Sequence, residues 1–330
     1  MTTYKGINGF AVQSVASDPS PLDEGQVWYN NATYAFKLAS LSTVGTWASG
    51  GNLATARFAL GGTGTQTAGL AFGGQASPGI QTVTEEYDGS AWTSGGSLPT
   101  AKNSLAKAGI QTAALAFGGD TPGGITTATE EYDGTSWTAG GNMATARFQF
   151  TGCGTQTAGL GFGGYNPGTG GLKNATEEYD GTSWTSGGNM GTARRLHGGC
   201  GTQTAGLGFG GYATGTQNAT EEYNGTSWTA GGNLGTARYG LGGAGIQTAA
   251  LAFGGATYPP PVTVANSELY DGTSWSSTTS IPAARKALGG AGTQAAGLGF
   301  GGNGPTPTAT AATIEFTGPG SPVTQTITTS

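Results

Sequence analysis

The chain has 330 residues, of which only 9% are Asp, Glu, Lys or Arg, and it carries a formal net charge of −6. This length can bury a large core, but the acidic balance and the lack of basic runs exclude the positive surface that nucleic acids or anionic membranes attract. The 66 glycines, among many Thr, Ser and Ala residues, disfavour helices. We therefore expect an all-β protein.

The N-terminal region shows no targeting signal. The segment MTTYKGINGFAVQSVASDPS has no charged stretch followed by an apolar one, and no window of the sequence reaches eighteen apolar residues. We expect no signal peptide, no membrane insertion and synthesis that ends in a cytoplasm.

Residues 1–39 precede the repeats described below and form a separate arm in this interpretation. Two strands are predicted around Val27–Tyr29 and Tyr34–Leu38, with a turn at 30–33. Trp28, Tyr29 and Phe36 are the aromatic residues that we expect to serve an attachment role. A simple hairpin packed on neighbouring structure is the alternative.

Residues 40–318 contain a repeat of about 45 residues. Each unit is headed by a tryptophan, followed ten residues later by a cation and sixteen residues after that by a Gly-Gly pair. The tryptophans are Trp47, Trp92, Trp137, Trp184, Trp228 and Trp275. The cations are Arg57, Lys102, Arg147, Arg194, Arg238 and Arg285.

Turn signals divide each unit into four short strands, exemplified by ARFALGG, TAGLAFGG, TEEYD and SWTSGG. Asp-Gly between Tyr and Trp predicts a type I′ hairpin, in which both central residues have positive φ. A four-stranded antiparallel meander repeated in this way is typical of a β-propeller. The unit after Arg285 lacks a tryptophan, so we expect the strand around Trp47 to complete it, which gives six blades. Residues 319–330 are read as a C-terminal tail.

The set formed by the Gly-Gly doublet, Glu-x-Tyr-Asp, Trp and the TAR cation resembles the Kelch repeat. The resemblance implies a six-bladed Kelch-type β-propeller in which the first glutamate of each TEEY run meets the cation. The matching glutamates are Glu85, Glu130, Glu177, Glu221 and Glu268, whereas Glu315 lies one residue out of register. We interpret these pairs as structural, because a catalytic site needs one asymmetric constellation rather than repeated copies.

Length variation among the units falls between the second and third strands, where insertions in repeat proteins commonly mark a binding face. Tyr165, Tyr212 and Tyr258 lie in these connections and are our candidate ligand or partner contacts. For any one of them, a packing role is an equal alternative.

The remaining reactive side chains do not suggest catalysis. His197 aligns with Leu or Phe in the other units, which predicts a satisfied structural residue. Cys153 and Cys200 replace small residues, and equivalent points on adjacent blades usually exceed the ~7 Å Cα limit of a disulfide. These residues cannot supply the copper site of some Kelch-like oxidases, and no Ser-His-Asp, Walker or Rossmann pattern is present. We expect no enzyme activity, no cofactor and no metal.

The arm sequence EGQVWYN, followed by a Phe-Lys strand, resembles a module of structural proteins of tailed bacteriophages, particularly marine ones. This resemblance implies a virion protein present in several copies, whose arm binds other virion proteins. Its propeller would be displayed as a tail fibre, tail-associated or capsid-surface component that contacts a host-surface glycan or protein. A cellular or secreted Kelch-type adaptor or glycan-binding protein is the alternative.

Overall fold

The computed structural model describes residues 12–20, 26–41, 44–306, 308–320 and 322–327. These residues are almost entirely strands and turns, with one 3₁₀ turn at Pro167–Thr169. The chain divides into two compact units: Trp47–Phe316, and Met1–Thr46 together with Thr317–Ser330. No helix in the described ranges is long and apolar enough to span a bilayer.

The smaller unit contains one four-stranded sheet. Its strands, in spatial order, are β1 (Gln13–Val15), β2 (Val27–Asn30), β3 (Ala35–Leu41) and β36 (Pro322–Thr326). Strands β2 and β3 form the hairpin expected from the sequence, with Tyr29 opposite Phe36. Residues 1–11 and 21–25 of the arm, including the first residues of the EGQVWYN motif, lie outside the described residues.

Residues 319–330, read from the sequence as a tail, contain a strand. Strand β36 pairs antiparallel with β3, from Lys37 opposite Thr326 to Leu41 opposite Pro322. Strand β1 extends the other side of the sheet, because it pairs in parallel with β2. The two ends of the chain therefore share one sheet.

Within the described part of the larger unit there are six four-stranded sheets, which we label A to F. Sheet A comprises β5 (Gly61–Gly64), β6 (Gly69–Phe72), β9 (Thr84–Tyr87) and β10 (Trp92–Ser94). Sheet B comprises β11 (Ala106–Ile110), β12 (Ala113–Phe117), β15 (Thr129–Tyr132) and β16 (Trp137–Ala139). Sheet C comprises β17 (Thr151–Gly154), β18 (Gly159–Phe162), β21 (Thr176–Tyr179) and β22 (Trp184–Ser186). Sheet D comprises β23 (Gly198–Gly201), β24 (Gly206–Phe209), β25 (Thr220–Tyr223) and β26 (Trp228–Gly231). Sheet E comprises β27 (Gly242–Ile246), β28 (Ala249–Phe253), β31 (Ser267–Tyr270) and β32 (Trp275–Thr278). Sheet F comprises β33 (Gly289–Gly292), β34 (Ala296–Phe300), β35 (Thr313–Thr317) and β4 (Thr46–Gly50).

Sheet F is completed from the N-terminal side, as the sequence predicts. Strand β4 lies beside β35, and the ring of Trp47 packs 4.9 Å from that of Phe316 and 5.2 Å from that of Phe253. An all-β unit of repeated four-stranded sheets is compatible with a β-propeller.

Short two-stranded ladders fill four of the connections between second and third strands. They are β7 (Gln75–Ala76) with β8 (Gly79–Ile80), β13 (Asp120–Thr121) with β14 (Gly124–Ile125), β19 (Tyr165–Asn166) with β20 (Gly171–Leu172), and β29 (Ala256–Thr257) with β30 (Val262–Thr263). The Gly-Gly doublets immediately precede these connections. Gly73 and Gly74 have φ of 63° and 99°, and a Cβ on Gly73 would lie 2.5 Å from the carbonyl oxygen of Lys102. Only glycine fits this approach.

The apolar core lies between successive sheets. One cluster joins Leu70 and Phe72 of sheet A to Leu105, Ala114 and Tyr132 of the next repeat, and equivalent clusters recur along the chain. Two polar contacts accompany this packing. The Trp137 indole donates to Thr84 at 3.0 Å, and the Gln156 amide donates to the carbonyls of Ala114 and Tyr132. Each sheet is therefore fixed to its neighbour by apolar contact and by side-chain hydrogen bonds.

The predicted hairpin between third and fourth strands is present, but its turn differs from type I′. Tyr132 pairs with Trp137, so four residues form the loop, and of these only Gly134 has positive φ. The carboxylate of Asp133 accepts from the amides of Thr135 and Ser136. Because Asp caps the loop through its side chain, it has no need of the left-handed conformation that type I′ would require.

A closed cycle of backbone hydrogen bonds links all six repeats. The residue two positions after each cation donates its backbone N–H to the carbonyl oxygen of the corresponding residue in another repeat, at 2.7–2.8 Å. The members, in bonding order, are Ala59, Ala287, Gly240, Leu196, Gln149 and Ser104. The backbone N–H of Ser104 donates to the carbonyl oxygen of Ala59, which closes the cycle. All six have φ between 53° and 66°, although five of them are not glycine. We call this cycle the backbone ring.

Candidate functional site

Five of the six repeat cations form buried ion pairs with the expected glutamates in the described residues. The pairs are Arg57–Glu85, Lys102–Glu130, Arg147–Glu177, Arg194–Glu221 and Arg238–Glu268. Each cation precedes the first strand of a sheet and meets a glutamate on the third strand of that sheet.

The Arg147 pair shows how the charges are satisfied. Arg147 donates to Glu177 at 3.0 Å and to the carbonyls of Gly161, Gly163 and Ala175. The second carboxylate oxygen of Glu177 accepts from the amide of Ala144 at 2.7 Å. Burial lowers the pKa of Arg147, while the charge of Glu177 acts in the opposite direction. Both carboxylate oxygens of Glu177 accept hydrogen bonds from the protein, so we interpret the pair as structural.

Arg285 of sheet F has no carboxylate partner among the described residues. It is 4% exposed and donates only to the carbonyls of Gly301 and Ala312. Ile314 stands at the position of the first glutamate, and Pro282 replaces the residue whose amide would bind that glutamate. Sheet F therefore keeps the cation but has lost both the carboxylate and its amide donor.

Glu315 is the counterpart of the second glutamate of each TEEY run, which resolves its register. It accepts from the phenol of Tyr87 at 2.5 Å. The same contact joins Glu86 to Tyr132, Glu131 to Tyr179, Glu178 to Tyr223 and Glu222 to Tyr270 at 2.5–2.6 Å. Burial, followed by this hydrogen bond, raises the pKa of each of the five tyrosines to about 12.

The sixth contact between sheets is apolar on both sides. Leu269 of sheet E occupies the position of the second glutamate, and Phe316 of sheet F occupies that of the tyrosine. Both side chains belong to one apolar cluster. The acceptor and the donor are replaced together, so neither is left unpaired.

The structure brings together the three tyrosines proposed as partner contacts. Arg195 lies over the ring of Tyr165 at 4.7 Å and over that of Tyr212 at 5.6 Å. The rings of Tyr212 and Tyr258 are 6.0 Å apart, edge to face. Tyr258 is 46% exposed, whereas Tyr165, Tyr212 and Arg195 are partly exposed.

Further residues that were not singled out from the sequence extend this cluster. Phe148 packs 5.8 Å from Tyr165, Tyr239 packs 6.0 Å from Tyr212, and Lys286 lies over the ring of Tyr239 at 5.6 Å. We name this set the aromatic–cationic patch: Phe148, Tyr165, Arg195, Tyr212, Tyr239, Tyr258 and Lys286.

A sequence signal for the patch exists in two columns of the repeat. The residue after each cation forms an antiparallel bridge with the residue after each Gly-Gly pair, as in Phe148 with Tyr165 and Arg195 with Tyr212. In sheets A and B the same bridges join Phe58 to Gln75 and Asn103 to Asp120. Aligning the two columns would have shown that aromatic residues concentrate in sheets C, D and E.

His197 and the two cysteines are buried. His197 is 5% exposed in the apolar position expected, but neither ring nitrogen has a hydrogen-bond partner of acceptable geometry in the described residues. The expectation of a satisfied histidine is therefore not met. Burial, with smaller effects from Arg194 and Lys107, holds the pKa of His197 well below its ordinary value. Cys153 and Cys200 are free thiols. Within the described ranges, no group of three His, Cys, Asp or Glu residues is placed to hold a metal ion.

The arm residues divide between the two faces of their hairpin. Trp28 is fully buried, and its indole donates to Asp18 at 3.0 Å. The rings of Tyr29 and Phe36 are 5.1 Å apart, and Phe36 is 36% exposed. Trp28 therefore stabilises the hairpin from its buried face, whereas Phe36 lies on the other face with Tyr29.

Comparison of the chain with protein-family models and with curated proteins gives no match.

Proposed function

We propose that this protein is a six-bladed Kelch-type β-propeller that binds a host-surface glycan or protein through the aromatic–cationic patch, without catalysis. We further propose that the protein is a component of the virion of a tailed bacteriophage. This part of the proposal is based on the resemblance of the arm motif.

Two observations support the six-bladed arrangement. The first strands contact one another in the order β5, β11, β17, β23, β27 and β33, and β33 also contacts β5. The backbone ring passes once through each repeat and returns to its start. Both are expected when six sheets surround one axis.

The patch carries the functional proposal. Tyrosine and arginine supply large, rigid contact surfaces with polar ends, and both residues are enriched at the energetic centres of interfaces. Here three tyrosines on the connections that vary in length form one continuous array with Arg195, which precedes the first strand of sheet D. The equivalent bridges in sheets A and B pair Phe58 with Gln75 and Asn103 with Asp120, so they carry one aromatic residue among four. The aromatic–cationic patch is thus concentrated in sheets C, D and E, whereas the ion pairs recur in five of the six sheets.

Binding can be tested with a glycan array and with isolated cell envelopes of the host. The variant with Tyr165→Ser, Tyr212→Ser and Tyr258→Ser should lose roughly tenfold or more in affinity. The matched control carries Gln75→Ser, Asp120→Ser and Asn303→Ser, which alter the corresponding column of other sheets, and it should bind as the unmodified protein does. Equal binding by the two triple variants, or no binding by the unmodified protein, would contradict the proposal.

The particle context has a separate test. Mass spectrometry of purified virions should detect the chain, and imaging of intact particles should locate it on the tail or the capsid surface. If the chain is found only in the soluble fraction of infected or producing cells, the cellular adaptor becomes the better explanation.

A further inference from the structure

Two neighbouring cavities lie along the first strands of the six sheets. One has a volume of about 90 Å³ and is bounded by the backbone ring and the residues that follow it. The other has a volume of about 120 Å³ and is lined mainly by the glycines and small residues of the first strands. A water molecule occupies ~30 Å³ in the liquid, so each cavity has room for a small ligand. Lys107 lines both cavities.

Lys107 is the exception in its column of the repeat. The equivalent residues in the other sheets are Gly62, Gly152, Gly199, Gly243 and Gly290. At each of these glycines, a Cβ would lie within 2.4–2.8 Å of a neighbouring atom. Steric crowding therefore explains the glycine at five of the six equivalent positions. At the sixth, in sheet B, the residue is the long cationic Lys107.

Lys107 has no counter-charge. Within the described residues it forms no hydrogen bond or ion pair, and neither cavity is lined by Asp or Glu. Five of the six repeat cations have a carboxylate partner, whereas Arg285 and Lys107 have none in the described residues. Lys107 is partly buried, and this desolvation lowers the pKa of its ammonium group, while the nearby Cys153 and Cys200 act in the opposite direction.

Neutral hydrogen-bonding groups also line the first cavity. Ser104, Gln149 and Thr151 line it beside Lys107, whereas the other repeats contribute residues such as Ala59, Gly240 and Ala287 at the equivalent ring positions. The carboxamide oxygen of Gln149 accepts from Arg195 at 3.2 Å, which leaves its amide nitrogen as a donor. The lining therefore combines one cation, three neutral polar side chains and the imidazole of His197 with apolar or small residues.

We infer that the first of these cavities binds a small oxyanion, of the carboxylate or phosphate class, with the Lys107 ammonium group as its counter-charge and hydroxyl or amide groups of the same lining as further donors. Such a site differs from the aromatic–cationic patch in both size and chemistry, so it does not depend on the proposed function. The ammonium group would gain an anionic partner, as five of the six repeat cations have one.

Isothermal titration with inorganic phosphate and, separately, acetate tests the site at constant ionic strength. Lys107→Gly, which installs the residue of the other five sheets, should weaken binding of the preferred anion roughly tenfold or more. Lys173→Gly removes the same charge from an exposed loop and should leave binding unchanged.

A second variant separates binding from folding. Lys107→Met keeps the aliphatic stem and should also lose binding, while the melting temperature of each lysine variant confirms that it is folded. Saturable binding that is equal in Lys107→Gly and the unmodified protein would overturn the inference, as would the absence of saturable binding of either anion to the unmodified protein.

Discussion

Replacing Arg147 by Met should destabilise the protein far more than replacing Arg285, although the two arginines hold the same position in sheets C and F. Arg147 donates to the carboxylate of Glu177 and to three carbonyls. Arg285 donates to two carbonyls and has no carboxylate partner in the described residues. Methionine preserves much of the aliphatic stem in both cases, so the comparison isolates the charge.

The expected magnitudes follow from what each substitution leaves behind. Without Arg147, the carboxylate of Glu177 would remain 97% buried beside apolar and backbone groups, because Glu177 is only 3% exposed. Breaking a buried pair in this way costs about 3–5 kcal/mol. Without Arg285 no charge is stranded, and the lost hydrogen bonds are offset by removal of an uncompensated cation, which gives a net cost of about 1 kcal/mol. At about 2 °C per kcal/mol for a unit of this size, the melting midpoint should fall by about 6–10 °C and about 2 °C, respectively.

Thermal unfolding followed by circular dichroism, with urea unfolding as a second measure, would provide the comparison. A third variant, Arg147→Met combined with Glu177→Leu, should recover part of the loss, since it removes the stranded carboxylate. Equal destabilisation by the two single variants would refute the reasoning, because it would mean that the carboxylate contributes nothing beyond what the carbonyls provide.

Three further predictions concern the contacts between sheets. Tyr179→Phe alone should lower the free energy of unfolding by about 1.5–3 kcal/mol, and adding Glu131→Leu should restore part of it, reproducing the natural Leu269 and Phe316 pair; additive losses in the double-mutant cycle would contradict this. The five raised phenol pKa values of about 12 mean that the folded state retains protons that the unfolded chain releases above pH 10, so these tyrosines should leave the urea midpoint unchanged below pH 10 and lower it as pH rises through 10–12. His197→Leu should stabilise by about 1–2 kcal/mol, because it removes unpartnered buried nitrogens, and a lower melting temperature would argue against that account.

Much of the larger unit can be predicted from the sequence because each repeated residue has a local role. The invariant spacing from Trp to cation to Gly-Gly reflects contacts made once per sheet, so it predicts four strands per repeat and the completion of sheet F by the strand of Trp47. The turn type was missed because Asp-Gly favours type I′ only in two-residue loops, whereas the Asp133 carboxylate here caps a longer one.

Other features depend on residues that are distant in sequence. Nothing local to 322–326 indicates that this segment pairs with β3, because the partner lies at the opposite end of the chain. The role of Glu315 was equally hidden, since Ile314 replaces the glutamate that would have aligned the strand, and the contact with Tyr87 joins the last sheet to the first. The aromatic–cationic patch required knowing which bridge residues become neighbours between sheets.

The backbone ring has an electrostatic consequence. In a helix, peptide dipoles align head to tail along an axis and leave partial charges at the two ends. In the ring, the six amide-to-carbonyl bonds run head to tail in a closed cycle, so the chain of dipoles has no terminus. In the proposed six-bladed arrangement their vectors cancel around the axis, and an ion bound there would owe its affinity to side chains such as that of Lys107.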